Sequence, residues 1–227
     1  MNKRGLFIVV EGIDNCGKST QAQMLRKYLQ EKGLEVFNTR EPGGTDIGEE
    51  IRSILLDRKK MLDPKVQTLL FFTSREEFLQ KIVKPKLDQG ITVISDRFEA
   101  STYVYQGYVQ GVDEKFIDVL HDQVVEDSDC IPDLYIILDI SSEESFKRQA
   151  NIDNKGQEFI YEKQGLEFMD KVRHGYQKFA ESRLTCKVVP IDQRKKSWAS
   201  WVVLVDAMRD KDLIFRDLVS LVDRVIK

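Results

Sequence analysis

The chain has 227 residues, 41% of them hydrophobic and 32% charged, with a formal net charge of −3. That length allows one sizeable core, and the charge balance argues against a broad polyanion-binding face, so nucleic acid is not an expected partner. No apolar stretch approaches the ~20 residues of a membrane span, and three cysteines without C-x-x-C spacing (Cys16, Cys130, Cys186) exclude a disulfide framework and give a zinc site no support.

The N-terminal residues Met1-Asn2-Lys3-Arg4-Gly5 run straight into the apolar run Leu6–Val10, expected as a buried strand. This leaves no room for a signal peptide and, with unpaired cysteines, points to a cytoplasmic protein. After Glu11 come Gly12-Ile13-Asp14-Asn15-Cys16-Gly17-Lys18-Ser19, the pattern G-x-x-x-x-G-K-[ST], followed by Thr20 and a helical pattern over Ser19–Lys32. The glycines let successive backbone N–H groups turn inward at phosphate oxygens, and the positive helix end faces the same anion. Lys18 supplies a point charge for the β- and γ-phosphates, and the Ser19 hydroxyl suits Mg²⁺. Strand before and helix after make this a nucleotide-binding P-loop; Cys16 within it reads as a small filler.

A second strand is expected at Glu35–Asn38, followed by the turn Thr39-Arg40-Glu41-Pro42-Gly43-Gly44-Thr45, which places Arg40 and Glu41 at a strand end. Helices follow at Ile47–Leu56 and Pro64–Leu87. On the latter, Phe71 and Arg75 lie four residues apart and share a face, a ring and a guanidinium able to hold a base, although most of that stripe is core. The third strand, Ile91–Ser95, runs into Asp96 and Arg97, a carboxylate placed for Mg²⁺ and a donor fork for phosphate; a surface ion pair is the plainer alternative.

The remaining pattern is a helix over Asp113–Glu126, a strand at Leu134–Ile140 and a helix at Ser142–Arg148. The polar, aperiodic stretch 149–162 is a candidate lid. A helix over Gly165–Glu181, a fifth strand at Lys187–Ile191 and a last helix within Asp212–Ile226 complete the chain. Alternating strand and helix predict an α/β fold in a single domain, residues 1–227, with a five-stranded parallel sheet covered on both faces and ligands at the strands' carboxyl ends.

Five segments taken together resemble the thymidylate kinase family: Glu11 through Thr20; Thr39 through Thr45; Phe71-Phe72-Thr73-Ser74-Arg75; Asp96-Arg97 through Ser101 to Tyr105-Gln106-Gly107; and Val172-Arg173-His174-Gly175-Tyr176. The resemblance implies a P-loop, nucleoside-monophosphate-kinase-like fold and transfer of phosphate from Mg·ATP to dTMP, in dTTP biosynthesis. It implies that Phe71 stacks on thymine, Arg75 bonds its O4 edge, Thr102 sits near N3 and Tyr105 lies under the deoxyribose. Arg97 then holds the dTMP phosphate, with Asp14, Glu41 or Arg40, Ser101 and Gln106 nearby, while Arg148 lies near the adenine. A homodimer is implied as well.

The chain departs from the family pattern in two places. Asn15 stands where some members carry a P-loop arginine, and Ile160 falls where others carry a lid arginine. Either Lys155 reaches the transferring phosphoryl group, or Lys18 and Mg²⁺ carry more of its charge. Residues 195–227 read as a C-terminal extension and helix, in which Trp198, Trp201 and the run Val202–Val205 extend either a sheet edge or the dimer surface. Competing readings are a kinase of another deoxynucleotide or of a deoxynucleoside, and a P-loop switch module; no guanine-reading N-K-x-D run is present.

Overall fold

The structure, a computed structural model, describes residues 4–57, 59–150, 165–184 and 201–226. Apolar runs form the strands, the three central ones buried on both faces and the two edge ones half-buried. They are β1 (Phe7–Gly12), β2 (Val36–Arg40), β3 (Thr92–Asp96), β4 (Leu134–Asp139) and β5 (Trp201–Asp206). All neighbours pair in parallel, in the order β2-β3-β1-β4-β5. Central β1 is sealed: Phe7, Ile8, Val9 and Val10 have no solvent exposure, and Ile8 sits opposite Ile94 on one side and Leu134 on the other.

The helices are α1 (Lys18–Glu31), α2 (Asp46–Leu56), α3 (Pro64–Phe78), α4 (Lys84–Asp88), α5 (Glu99–Thr102), α6 (Glu114–His121), α7 (Ser142–Ala150), α8 (Leu166–Leu184) and α9 (Lys211–Ile226). Sequence sets several starts directly: Thr45 Oγ1 accepts from Gly48 N at 3.0 Å, and Asp63 accepts from Lys65 N with Pro64 in the first turn. From β1 the chain crosses leftward to β2 through α1; the later crossovers run rightward. Right-handed connections therefore put α1 on one face, where α9 packs against it, and the intervening helices on the other.

The expected helix Pro64–Leu87 is one continuous element, α3 and α4 joined through a π-helical segment, Leu79–Val83. The expected helix Asp113–Glu126 likewise combines α6 with a π-helical segment, Asp122–Glu126. Two expectations change. Sequence reading left 99–109 without a helix, yet α5 runs into a π-helical segment, Tyr103–Val109. The expected strand at 187–191 lies outside the described residues. The place beside β4 belongs to β5, which pairs Leu134 with Trp201 through Asp139 with Asp206. The run Val202–Val205 therefore extends the sheet edge, one of its two expected places, and the last helix, expected within Asp212–Ile226, is α9, packed on the core. Of the candidate lid, Gln149 and Ala150 end α7; residues 151–162 lie outside the described set.

Candidate active site

The parallel sheet brings four strand ends to one edge, and the site is built there. β1 closes on Gly12, whose φ is +134° and whose added Cβ would lie 2.4 Å from the Leu138 carbonyl oxygen of β4. Only glycine lets the chain turn while pressed against its neighbour. The loop reaches α1 at Lys18, leaving first-turn N–H groups open to an anion. Lys18 Nζ donates to Ile13 O at 2.9 Å and Gly12 O at 3.2 Å, so the lysine lies over its own loop. Ser19 Oγ donates to Asp96 Oδ2 at 2.9 Å, joining the P-loop to the end of β3. A hydroxyl and a carboxylate side by side form an oxygen donor set that fits a hard divalent cation.

These groups line a cleft of about 870 Å³ running from Asp14 through Gln21 to Arg148. Arg148 Nη2 donates to Ala207 O at 2.9 Å and Nη1 to Cys16 O at 3.4 Å, tying α7 to the P-loop and to the turn after β5. Arg209 of that turn and Lys211, the first residue of α9, also face the cleft. Sequence reading missed both, because it did not place β5 in the sheet.

A second cavity, of about 100 Å³, adjoins the cleft. It gathers Phe71, Arg75, Arg97, Ser101, Thr102, Tyr105, Gln106, Glu41 and Asp14, all expected from sequence. Arg75 is 1% exposed and lies over the rings of Phe72 and Phe98, at 4.5 and 5.1 Å. Its Nη2 donates to Thr102 Oγ1 at 3.1 Å, and its Nε stands 2.8 Å from Glu41 Oε1, a charge contact too bent to be a hydrogen bond. Among the described residues, Arg75 Nη1 is buried with no partner. Burial pushes the Glu41 carboxyl up to about 7, against the opposing pull of Arg75.

Arg40 is placed differently. It is exposed, pairs with Glu49 at 3.0 Å and faces the cleft rather than the smaller cavity. Lys155 lies outside the described residues. The cavity also uses Arg52, Leu56 and Phe98, which sequence reading passed over. Arg52 and Leu56 are four apart on α2, so a shared face was available as a signal. Arg52 Nη1 donates to Pro42 O at 2.9 Å.

Asp14, Glu41, Arg52 and Arg97 line both spaces and mark their junction. Arg97 sits there with φ +71°, its Nη2 against the Asp14 carboxylate and its Nη1 on Tyr176 Oη at 2.9 Å. Burial opposes its charge, but Tyr105, Tyr176, Asp14 and Glu11 outweigh that and raise its pKa well above the usual value.

A phosphate loop at the carboxyl edge of a parallel sheet, joined through two arginines to an aromatic-walled cavity, defines a P-loop phosphotransferase acting on nucleotides. The family model described as thymidylate kinase matches residues 10–199. The chain is 46% identical over 195 residues to a thymidylate kinase of Prosthecochloris aestuarii, covering 82% of this chain and 85% of the other. It is 33% identical over 223 residues to one from a Thermoanaerobacter species, covering 98% and 100%. A crystal structure of thymidylate kinase from Ehrlichia chaffeensis superposes with a TM-score of 0.68 at 30% identity, covering 96% of this chain and 99% of that one. The chain belongs to the thymidylate kinase family.

Proposed function

We infer that this protein transfers the γ-phosphoryl group of Mg·ATP to dTMP, with ATP in the large cleft and dTMP in the smaller cavity. As a member of its family it is a phosphotransferase that phosphorylates dTMP. The observation that carries the placement is Arg75: a buried guanidinium with an unpartnered Nη1 beside Phe71, in a cavity that opens onto the P-loop. A pyrimidine carbonyl satisfies that donor, and the ring fills the space against Phe71.

A phosphate oxygen of dTMP attacks the γ-phosphorus in line, and ADP leaves. Positioning and charge neutralisation suffice, so no side chain acts as nucleophile. Arg97 and Arg52, at the junction, hold the acceptor phosphate. Lys18 leaves its loop carbonyls for the β- and γ-phosphates. Ser19 and Asp96 would hold Mg²⁺, which would supply further neutralisation of phosphate charge. Asp14 holds Arg97 in place. Arg148 bounds the far end of the cleft, where the adenine lies.

Cys16 and Cys130 are free and buried, which supports a reducing, cytoplasmic setting. Exposed Val66 and Leu69 on α3 and Val119 on α6 support a homodimer, to be checked by light scattering. The central test is ADP release with a panel of acceptors. Turnover should require dTMP and fall away with EDTA. Preference for thymidine over dTMP overturns the acceptor assignment, and slow hydrolysis unaffected by any monophosphate favours a nucleotide switch.

A further inference from the structure

The segment Val172-Arg173-His174-Gly175-Tyr176 lies on α8. Its spacing on α8 explains what it builds. Val172 is fully buried, and Arg173, Tyr176 and Gln177 follow at helical intervals on one face. Arg173 donates to Asp139 at 2.7 and 2.9 Å and Gln177 to the same carboxylate at 3.1 Å, fixing α8 to the end of β4. Gly175 lets α8 approach the segment 103–109, since an added Cβ would lie 2.8 Å from Val104 Cγ1. Tyr176 is thereby carried under the P-loop.

There its hydroxyl meets three groups, Glu11, Arg97 and, at 2.9 Å, Ser101 Oγ. It donates to Glu11 Oε2 at 2.8 Å and accepts from Arg97 Nη1 at 2.9 Å. Ser101 Oγ does the same, donating to Glu11 Oε2 at 2.8 Å and accepting from Arg97 Nη1 at 3.3 Å. The other carboxylate oxygen, Oε1, accepts from Phe98 N at 2.8 Å and Ser101 N at 3.2 Å. Burial raises the Glu11 carboxyl, but the Arg97 charge and four converging donors oppose this, and both hydroxyls are placed to donate to it. The hydroxyl lone pairs are then left for Arg97. Glu11 itself stands 3.9 Å from Arg97, and the two hydroxyls bridge the pair.

We propose that Tyr176 is a positioning residue for the acceptor phosphate: its hydroxyl relays the buried Glu11 carboxylate to Arg97 and fixes that guanidinium at the junction of the two spaces. The proposal rests on the reading that Arg97 holds the dTMP phosphate. Tyr176 needs no contact with substrate. It fixes one side of Arg97 while Asp14 fixes the other, leaving the guanidinium one orientation toward the phosphate.

The test compares Tyr176→Phe, Ser101→Ala, their double variant and Arg97→Ala in steady-state assays varying dTMP and ATP separately. It is run at a temperature where circular dichroism shows every variant folded. Tyr176→Phe should lower kcat/KM for dTMP about tenfold, as expected for losing one hydrogen bond to a charged group, and leave KM for ATP within about twofold. Ser101→Ala should behave alike. The double variant should lose less than the product of the two, because both hydroxyls serve the same pair. If Arg97→Ala is severely impaired while Tyr176→Phe matches wild type, the relay is overturned and the phosphate reading stands. If Arg97→Ala is harmless, the phosphate reading fails and the relay with it. Equal losses toward dTMP and ATP, or losses that multiply in the double variant, also overturn the relay.

Discussion

Arg75 and Glu41 face each other at 2.8 Å, with their side chains 1% and 2% exposed, yet neither offers the other a well-aligned hydrogen bond. A buried ion pair left short of hydrogen bonds contributes little to stability on its own. On the proposed placement of dTMP, its arrangement makes sense as a partly completed constellation that the base closes by taking Nη1.

Glu41 gives a pH signature. Burial moves its carboxyl from an ordinary 4.5 to about 7. Between these values the folded state holds a proton that the unfolded chain has released, so this group's contribution to stability falls as pH rises across the window. The loss is on the order of 3 kcal/mol. Urea unfolding of wild type and Glu41→Gln from pH 4.5 to 7 should show the wild type losing ground to the variant as pH rises. Parallel curves would remove the argument for a buried, protonatable Glu41.

In the proposed mechanism Lys18 supplies charge where negative charge develops, so Lys18→Ala should cut turnover by about 10²–10³-fold. KM for dTMP should stay within about threefold, since the lysine belongs to the other cleft. Coupled ADP-release kinetics decide this, and near-normal turnover refutes the P-loop role.

Phe71 bounds the cavity beside Arg75. Phe71→Ala should weaken dTMP binding about tenfold through lost stacking and area, with ATP binding unchanged. Calorimetric titration of each nucleotide separates the two, and equal weakening of both counts against this cavity as the base site.

Gly175 is set by packing. An alanine Cβ would stand 2.8 Å from Val104 Cγ1 and 2.9 Å from Tyr108 Cδ1. Tyr108 is partly exposed and can yield, but Val104 is buried. Overpacking costs about 1–3 kcal/mol, and better helix propensity returns only ~1 kcal/mol. Gly175→Ala should therefore lower the melting temperature by roughly 2–6 °C. A rise in melting temperature would show that α8 is not held this closely.

The P-loop and its chemistry were legible because the whole motif is contiguous: strand, turn, lysine and hydroxyl within a dozen residues. Phe71 and Arg75 were legible as a pair because one helix presents both. The helix at 99–109 was not. Its Tyr103, Val104, Tyr105 and Gln106 are all buried, so no polar face marks a helical period. The run that forms β5 was seen but left between a sheet edge and a dimer surface, because its residues are only half-buried and the preceding run Lys187–Ile191 carries the same apolar signal.

Sequence by itself determined the phosphate loop, the alternation of strand and helix, and the residue types that meet a nucleotide, since these depend on short spacings and local backbone geometry. Tertiary structure alone decided that Glu41 turns inward to Arg75 while its neighbour Arg40 faces out, that Arg52 stands between the two spaces, and that Tyr176 reaches Arg97. Those contacts join residues far apart in the chain. Which groups meet is set by strand order and helix packing, and charge and burial then fix what each can do.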